Sequence, residues 1–234
     1  MKILLISANK QTAPYPVYPL GLDYVAGAIK DKHRVRIADM NQLKTSDALA
    51  EDLRSFAPDM IGISIRNVDN TDAVDPRSFT GEHQALIRQI RQHSPAPIVL
   101  GGSGFNIFPR EMLEHLNADY GIIGEGERFA LFLDAWQENR DCLQIPGVIK
   151  NGSPAEKEMP PPWQGPFTRH FRPDMPHVSH YLEHGGMLNL QTKRGCHFNC
   201  IYCTYPLIEG RRLRLIPPAE VAETVAVPVP SRIC

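Results

Sequence analysis

The first 140 residues alternate between two hydrophobic periods. "KILLISA" (2–8) is a short unbroken apolar run of the kind a buried parallel strand shows. In "GLDYVAGAIKDK" the residues Leu22, Val25, Ala26 and Ile29 recur at i, i+3, i+4 and i+7 and share one helical face. "HRVRIADM" alternates as a strand, "TSDALAEDLRSF" reads as a helix capped by Thr45 or Ser46, and "DMIGISI" (59–65) as a strand. The cycle continues with "GEHQALIRQIRQ" as helix, "APIVLGG" (96–102) as strand and "PREMLEHL" as a helix opened by Pro109. "DYGIIG" as strand and "RFALFLDAWQ" as helix complete it. Five strands separated by helices predict an α/β fold with a doubly wound parallel sheet. Right-handed crossovers would put helices on both faces and a ligand crevice outside the strands' carboxyl ends.

The loops after the strands therefore matter most. They are "NKQTAPYPVYPL", "RNVDNTDAVDPRSF", "GGSGFNIF" and "GEGE", each longer or richer in glycine than a plain connector requires. From residue 141 the character changes, and "NGSPAEKEMPPPWQGPFTRHFRPDMPH" is dense in proline and polar residues. The expected organisation is an α/β domain over 1–140, a Pro-rich linker over 141–185 that wraps or spans, and a second unit over 186–234. A strand is predicted over "GMLNLQTKR" (186–194).

Composition narrows the function classes. A formal net charge of -1 gives no global electrostatic reason to expect nucleic acid or an anionic membrane. No apolar run approaches the roughly 18 to 20 residues of a spanning helix, and "MKILLISANK" lacks the features of a secretory signal. A cytoplasmic protein is expected. Five cysteines, three of them crowded together, do not form the framework of a secreted disulfide protein, and reduced thiols serving as ligands fit better.

Those three stand in "RGCHFNCIYC" as Cys196, Cys200 and Cys203, a CxxxCxxC spacing that lets one short loop fold three sulfurs around a common centre. A structural zinc takes four ligands, and an electron-transfer iron–sulfur cluster four cysteines. Three thiolates would leave one iron open to an exogenous ligand. A zinc knuckle completed by His197 or Cys234 and three incidental buried thiols are the competing readings. Cys142, in "NRDCLQ", has no partner nearby in sequence and reads as structural or exposed.

The CxxxCxxC motif, with "LQTKRGC" before it and "YCTYP" around its end, resembles the radical S-adenosylmethionine (SAM) enzymes. The resemblance implies a [4Fe-4S] cluster on Cys196, Cys200 and Cys203 at the start of a partial (β/α) barrel. There the open iron binds the amino and carboxylate groups of SAM, and an electron cleaves a carbon–sulfur bond to give a 5′-deoxyadenosyl radical. It places Tyr202 near the adenine and requires an electron donor.

The preceding α/β domain and Pro-rich stretch are similar to the cobalamin-dependent branch of that family, whose first domain is flavodoxin-like. "GGSGFNIFP" (101–109) and "DYGIIGEGE" (119–127) match the branch's pattern. By that resemblance Gly101, Gly102, Gly104 and Phe105 would line the pocket for the corrinoid's nucleotide tail, with glycines allowing close backbone approach. Gly124, Glu125, Gly126 and Glu127 would form its neighbouring wall. The Asp-x-His-x-x-Gly loop of many cobalamin proteins is missing, so the loop after the first strand offers no imidazole to cobalt. Arg66, with Asn67 beside it, would reach the same crevice and lie beneath the corrin without bonding cobalt. Arg66 could instead pair with Asp69, Asp72 or Asp75.

A dinucleotide site using Asp39 is discounted because the first loop has no G-x-G-x-x-G. A phospho-acceptor domain is discounted because no acidic pair follows the first strand. Thirty-one residues follow Cys203. "IPPAEVAETVA" reads as a first barrel helix, and the abrupt "VPVPSRIC" resembles a truncated or frame-shifted end. An unfinished barrel would expose apolar surface. The leading expectation is the amino-terminal part of a cobalamin-dependent radical SAM methyltransferase, acting on a small molecule or peptide. The alternative is a non-catalytic corrinoid- or zinc-binding α/β module.

Overall fold

A computed structural model describes residues 1–43, 45–153, 159–172, 175–184 and 187–226. The predicted alternation is present as β1 (Lys2–Ser7), α1 (Leu20–Ile29), β2 (Arg34–Asp39), α2 (Ser46–Phe56), β3 (Met60–Ser64) and α3 (Thr80–His93). It continues as β4 (Ile98–Gly101), α5 (Pro109–Leu116), β5 (Tyr120–Ile122) and α6 (Phe129–Gln137), with a short helix α4 (Ser103–Ile107) where a loop was expected. The order is β2-β1-β3-β4-β5-β6, with β1 to β5 parallel, which is the flavodoxin-like arrangement expected. Thr45 is the cap of α2, its Oγ1 accepting from the Ala48 amide at 3.3 Å.

Strand side chains alternate between the two faces, and each face is covered by helices. Leu4, Ile6, Ile61, Ile63, Ile98 and Leu100 pack with residues of α2, α3 and α5. Ile3, Leu5, Met60, Val99 and Ile122 pack with α1 and α6, where Phe129, Phe132 and Leu133 are almost completely buried. Cys142 belongs to this second layer, its thiol facing the carbonyls of Phe132 and Arg140, and is structural.

Two expectations about the later chain need correction. The stretch from 141 is not linker throughout: β6 (Val148–Lys150) pairs antiparallel with β5 and forms an edge of the sheet. Its three residues are too few to stand out as a period among Gly and Pro. α7 (Pro176–Glu183) also falls inside that stretch, and its Val178 and Tyr181 form a third apolar cluster with Tyr18. The strand predicted over 186–194 is much shorter. β7 spans only Lys193–Arg194 and pairs antiparallel with β8 (Arg214–Leu215), so cross-strand bonding sustains only two residues. Gly186 lies outside the described residues. α8 (Tyr205–Glu209) sits between these strands, and α9 (Pro218–Val225) follows as predicted.

Residues 159–172 run across the domain, in keeping with a wrapping segment. A Cβ on Gly27 of α1 would stand 1.8 Å from the Thr168 carbonyl oxygen, so the strap can rest on the helix only where a side chain is absent. Beside it Arg169 Nε donates to Asp23 Oδ2 at 2.5 Å, and the His170 amide donates to Asp23 Oδ1 at 3.0 Å. Burial pushes the Asp23 carboxyl up, and Arg169 opposes this.

Candidate functional site

A cavity of about 380 Å³ opens at the carboxyl ends of β1, β3, β4 and β5, within the usual size range of small-molecule sites. Its floor is made by Ser7, Ser64, Gly101 and Ile122, and its walls by the loops after those strands. It spans the gap between β1 and β3 where the strand order reverses, the position at which open α/β sheets bind ligands. Asn189, Gln191, Arg194, Ile208 and Glu209 close another side, so the cysteine-bearing segment shares the cavity with the sheet.

The glycines divide by what they touch. A Cβ on Gly21 would meet nothing within 4 Å, and one on Gly101 only the Ile122 carbonyl at 3.8 Å, so these two leave room for a ligand. Gly102 and Gly104 are different. Cβ atoms there would lie 2.5 Å from the Ile65 oxygen and 2.9 Å from the Arg66 oxygen, and Gly102 has φ +101°. The close approach they permit is to the neighbouring strand-end backbone; Gly102 also lines the cavity as expected, whereas Gly104 lies outside the lining. Gly124, at φ +83°, gives way to Pro160, and Gly126 to Val25. Phe105 is fully buried against Gly121 and is a core residue, not a cavity wall.

Arg66 lines the cavity and is exposed, and among the described residues it has no carboxylate partner; Asp75 pairs with Arg77 instead. Asn67 lies outside the lining, its carbonyl bonded to His83 Nε2 at 3.0 Å. Asn9, absent from the sequence-based list, lines the cavity almost wholly buried, and among the described residues neither its Nδ2 nor Asn189 Oδ1 there has a hydrogen-bond partner. A buried donor without an acceptor suits a ligand that brings one. Only its place in the first strand-end loop could have pointed to Asn9.

Glu125 and Glu127 line the cavity but have their carboxylates committed. Arg194 Nη1 donates to Glu125 at 3.0 Å and Nη2 to Glu127 at 2.6 Å, with both members of each pair buried. Arg214 Nη1 donates to Glu125 at 2.8 Å, and the Trp163 amide at 2.6 Å. Burial would raise the Glu125 pKa, but the Trp163 amide and the two arginines outweigh it and hold it low. Burial would lower that of Arg194, but Glu127 and Glu125 outweigh it and hold the guanidinium charged. Neither arginine was assigned a role from sequence. The signal available was an acidic turn, "GEGE", needing a counter-charge, and a lone Arg before "GC".

Asn106 completes the wall. Its Oδ1 accepts from the Gly124 amide at 3.0 Å and its Nδ2 donates to the Gly124 carbonyl at 3.1 Å.

The loop between β7 and β8 carries free Cys196, Cys200 and Cys203, the first half-buried and the others exposed. The Cys196 amide donates to the Gly210 carbonyl at 3.1 Å, and that of Cys203 to the Cys200 carbonyl at 3.2 Å. Among the described residues no three His, Cys, Asp or Glu side chains are gathered closely enough to hold a metal ion. Tyr202 is 86% exposed, as are Phe198 and Ile201 in large part, which is the apolar surface expected of this region. His197 is exposed against Phe198, and Cys234 lies outside the described residues. Three free thiols in one accessible loop are a donor set that suits an iron–sulfur cluster.

No helix among the described residues is long and apolar enough to cross a membrane.

Residues 6–131 match the B12 binding domain family. The tryptophan 2-C-methyltransferase of Streptomyces laurentii is 26% identical over 89% of this chain and 44% of its own length. The radical S-adenosylmethionine methyltransferase TsrM from Kitasatospora setae, solved with tryptophan and aza-SAM, superimposes with a TM-score of 0.85 at 30% identity. That match covers 96% of this chain and 44% of TsrM. Its structure with cobalamin and a [4Fe-4S] cluster gives a TM-score of 0.81 at 26% identity, covering 96% of this chain and 45% of TsrM. The chain thus spans about half the length of the relatives it matches.

Proposed function

From the premise that the chain belongs to the B12 binding domain family, we propose that it binds cobalamin at the strand-end cavity and a [4Fe-4S] cluster with SAM at its cysteine loop, as part of a cobalamin-dependent radical SAM methyltransferase. The observation that carries this reading is the shared cavity: residues of the β1, β3, β4 and β5 loops and of the cysteine segment face one space. TsrM, which matches over both parts of the chain, is a methyltransferase solved with both cofactors.

The proposed assignment is as follows. Gly21 and Gly101 would leave the corrinoid room, Asn9 Nδ2 would offer a buried donor to one of its acceptors, and the exposed Arg66 side chain would face it from the loop after β3, the loop after β1 having no histidine to offer cobalt. Cys196, Cys200 and Cys203 hold the cluster and Tyr202 accompanies the adenine. When bound, the corrinoid carries the methyl group and the cluster supplies the electron for SAM chemistry. The chain's own part is to orient the two groups toward each other across the space they share. The substrate is a small molecule, an electron donor serves the cluster, and the reducing cytoplasm keeps the thiols available.

The test is anaerobic reconstitution with iron, sulfide and hydroxocobalamin, followed by the visible spectrum and metal analysis. About four irons per chain with a bound corrinoid spectrum is the expected outcome. A colourless protein holding only zinc would overturn both cofactor assignments.

A further inference from the structure

Cys196 stands two residues after Arg194, whose guanidinium has all three of its nitrogens engaged by side chains. Its Nη1 and Nη2 reach Glu125 and Glu127 at 3.0 and 2.6 Å, and its Nε reaches Gln191 Oε1 at 2.9 Å. The group is stacked between the rings of Tyr24 and Phe167, at 4.9 and 4.2 Å from their centroids. Of these partners Glu125, Glu127 and Tyr24 belong to the sheet domain and Phe167 to the strap.

Both ends of this connection are stiff. On the cysteine side, Gly195 has φ +78° with no room for a Cβ, which would stand 2.1 Å from the Arg212 carbonyl, and its amide donates to Glu209 Oε2 at 3.1 Å. On the sheet side, Glu125 and Glu127 follow directly from Gly124, whose amide and carbonyl are both bonded by Asn106 in the cavity wall. A path of short bonds and one glycine that admits no side chain therefore runs from the cavity wall to Cys196. Glu125, with three donors already on it, has little capacity left for a ligand.

We propose that Arg194 is a positioning residue that sets the register between the cysteine loop and the strand-end cavity, gripping Glu125 and Glu127 as a fork. What is positioned, a cluster relative to a corrinoid, rests on the functional reading above; that the loop is held by the fork does not. Arginine is required because two carboxylates on one turn are matched by a planar guanidinium, which a lysine ammonium cannot reproduce.

The test compares the whole chain with its R194M, R194K and E127Q variants. Amide hydrogen exchange is followed across 195–210 and, as internal reference, across β1 and β3. Cofactor loading is followed by iron content and the corrinoid spectrum. Relaxation of the cob(II)alamin electron spin by the reduced cluster reports their separation, which a merely structural role would leave alone whenever both groups bind. In R194M and E127Q, exchange of 195–210 is expected to quicken at least about tenfold while β1 and β3 keep their protection. Both groups should still bind, with the spin relaxation weakened. R194K should recover part of both signals, and it carries the test if R194M does not fold. Unchanged exchange and relaxation in the variants would overturn the proposal, as would exchange rising equally in β1 and β3. If the wild-type chain binds neither iron nor corrinoid, the functional reading fails, and the exchange measurements alone still decide whether the fork holds the loop.

Discussion

The sheet domain and the cysteine hairpin are held together by opposite means. The first has two apolar layers, one on each face of a six-stranded sheet, and its central strands are buried chiefly among apolar side chains. The second is a two-residue ladder whose large apolar side chains, Phe198, Ile201, Tyr202 and Leu215, face outward. It is fixed by Arg194 and Arg214 on two glutamates of the first. Apolar burial is non-directional and tolerates small shifts, whereas a buried guanidinium with two carboxylates has one arrangement that satisfies it. The hairpin thus gets its placement on the sheet domain from ions, at the expense of depending on every member of the set.

Removing one member should expose that dependence most. Arg194→Met leaves Glu127 buried without its cation, which typically costs roughly 3 to 5 kcal/mol. That loss should appear as early detachment of the hairpin in denaturant, with the sheet's own transition little moved. A single transition shifted as a whole would show that the two regions are one cooperative unit.

Asp39 offers a pH-dependent contrast inside the sheet domain. It is 1% exposed at the end of β2, accepts from Tyr181 at 2.9 Å and from the Asn41 amide at 3.0 Å, and burial pushes its pKa up to about 6. The unfolded carboxyl titrates near 4, so the folded chain holds the extra proton between those values and stability falls as pH rises through that window. The fall amounts to at most roughly 3 kcal/mol. Asp39→Asn should remove this slope, so that the variant gains on the wild type from about pH 4 to 6 and keeps a constant difference above it. Urea midpoints at three pH values check it.

Gly27→Ala drives a methyl group into the Thr168 carbonyl and should cost roughly 1 to 3 kcal/mol, lifting the strap while the sheet stays folded. Faster proteolysis within 159–172 is the readout, and no change would show that the strap has slack. The smallest effect belongs to the exposed pair Arg77–Asp75, where Arg77→Ala should move the melting midpoint by an amount corresponding to no more than about 0.5 kcal/mol.

The same contrast governs what could be read from the sequence. Periodicity reports apolar faces, so β1 to β5 and their helices were legible, as was the strand order once the flavodoxin-like resemblance was drawn. The CxxxCxxC spacing identified the cysteine loop. The ties between the regions were not legible, because Arg194 and Glu125 lie 69 positions apart and a charged residue alone gives no sign of burial. The glycines of "GGSG" were visible but their neighbours were not: Gly101 and Gly102 line the cavity, while the missing side chains of Gly102 and Gly104 make room for backbone at Ile65 and Arg66. Phe105 misled for a related reason, since a residue inside a loop motif can point into the core.

The edge strands carry a further consequence, for self-association. At one side of the sheet β2 bears Arg34 and Arg36, whose guanidinium groups stand 5.7 and 4.5 Å from the Phe56 ring. At the other, β6 is three residues long, runs against its neighbour and ends in Lys150. A second chain adding a strand on either side would meet fixed positive charge or too short a template, the means by which natural sheets resist fibril-like stacking. The apolar side chains exposed on the cysteine hairpin can therefore stay uncovered without recruiting the sheet into an aggregate.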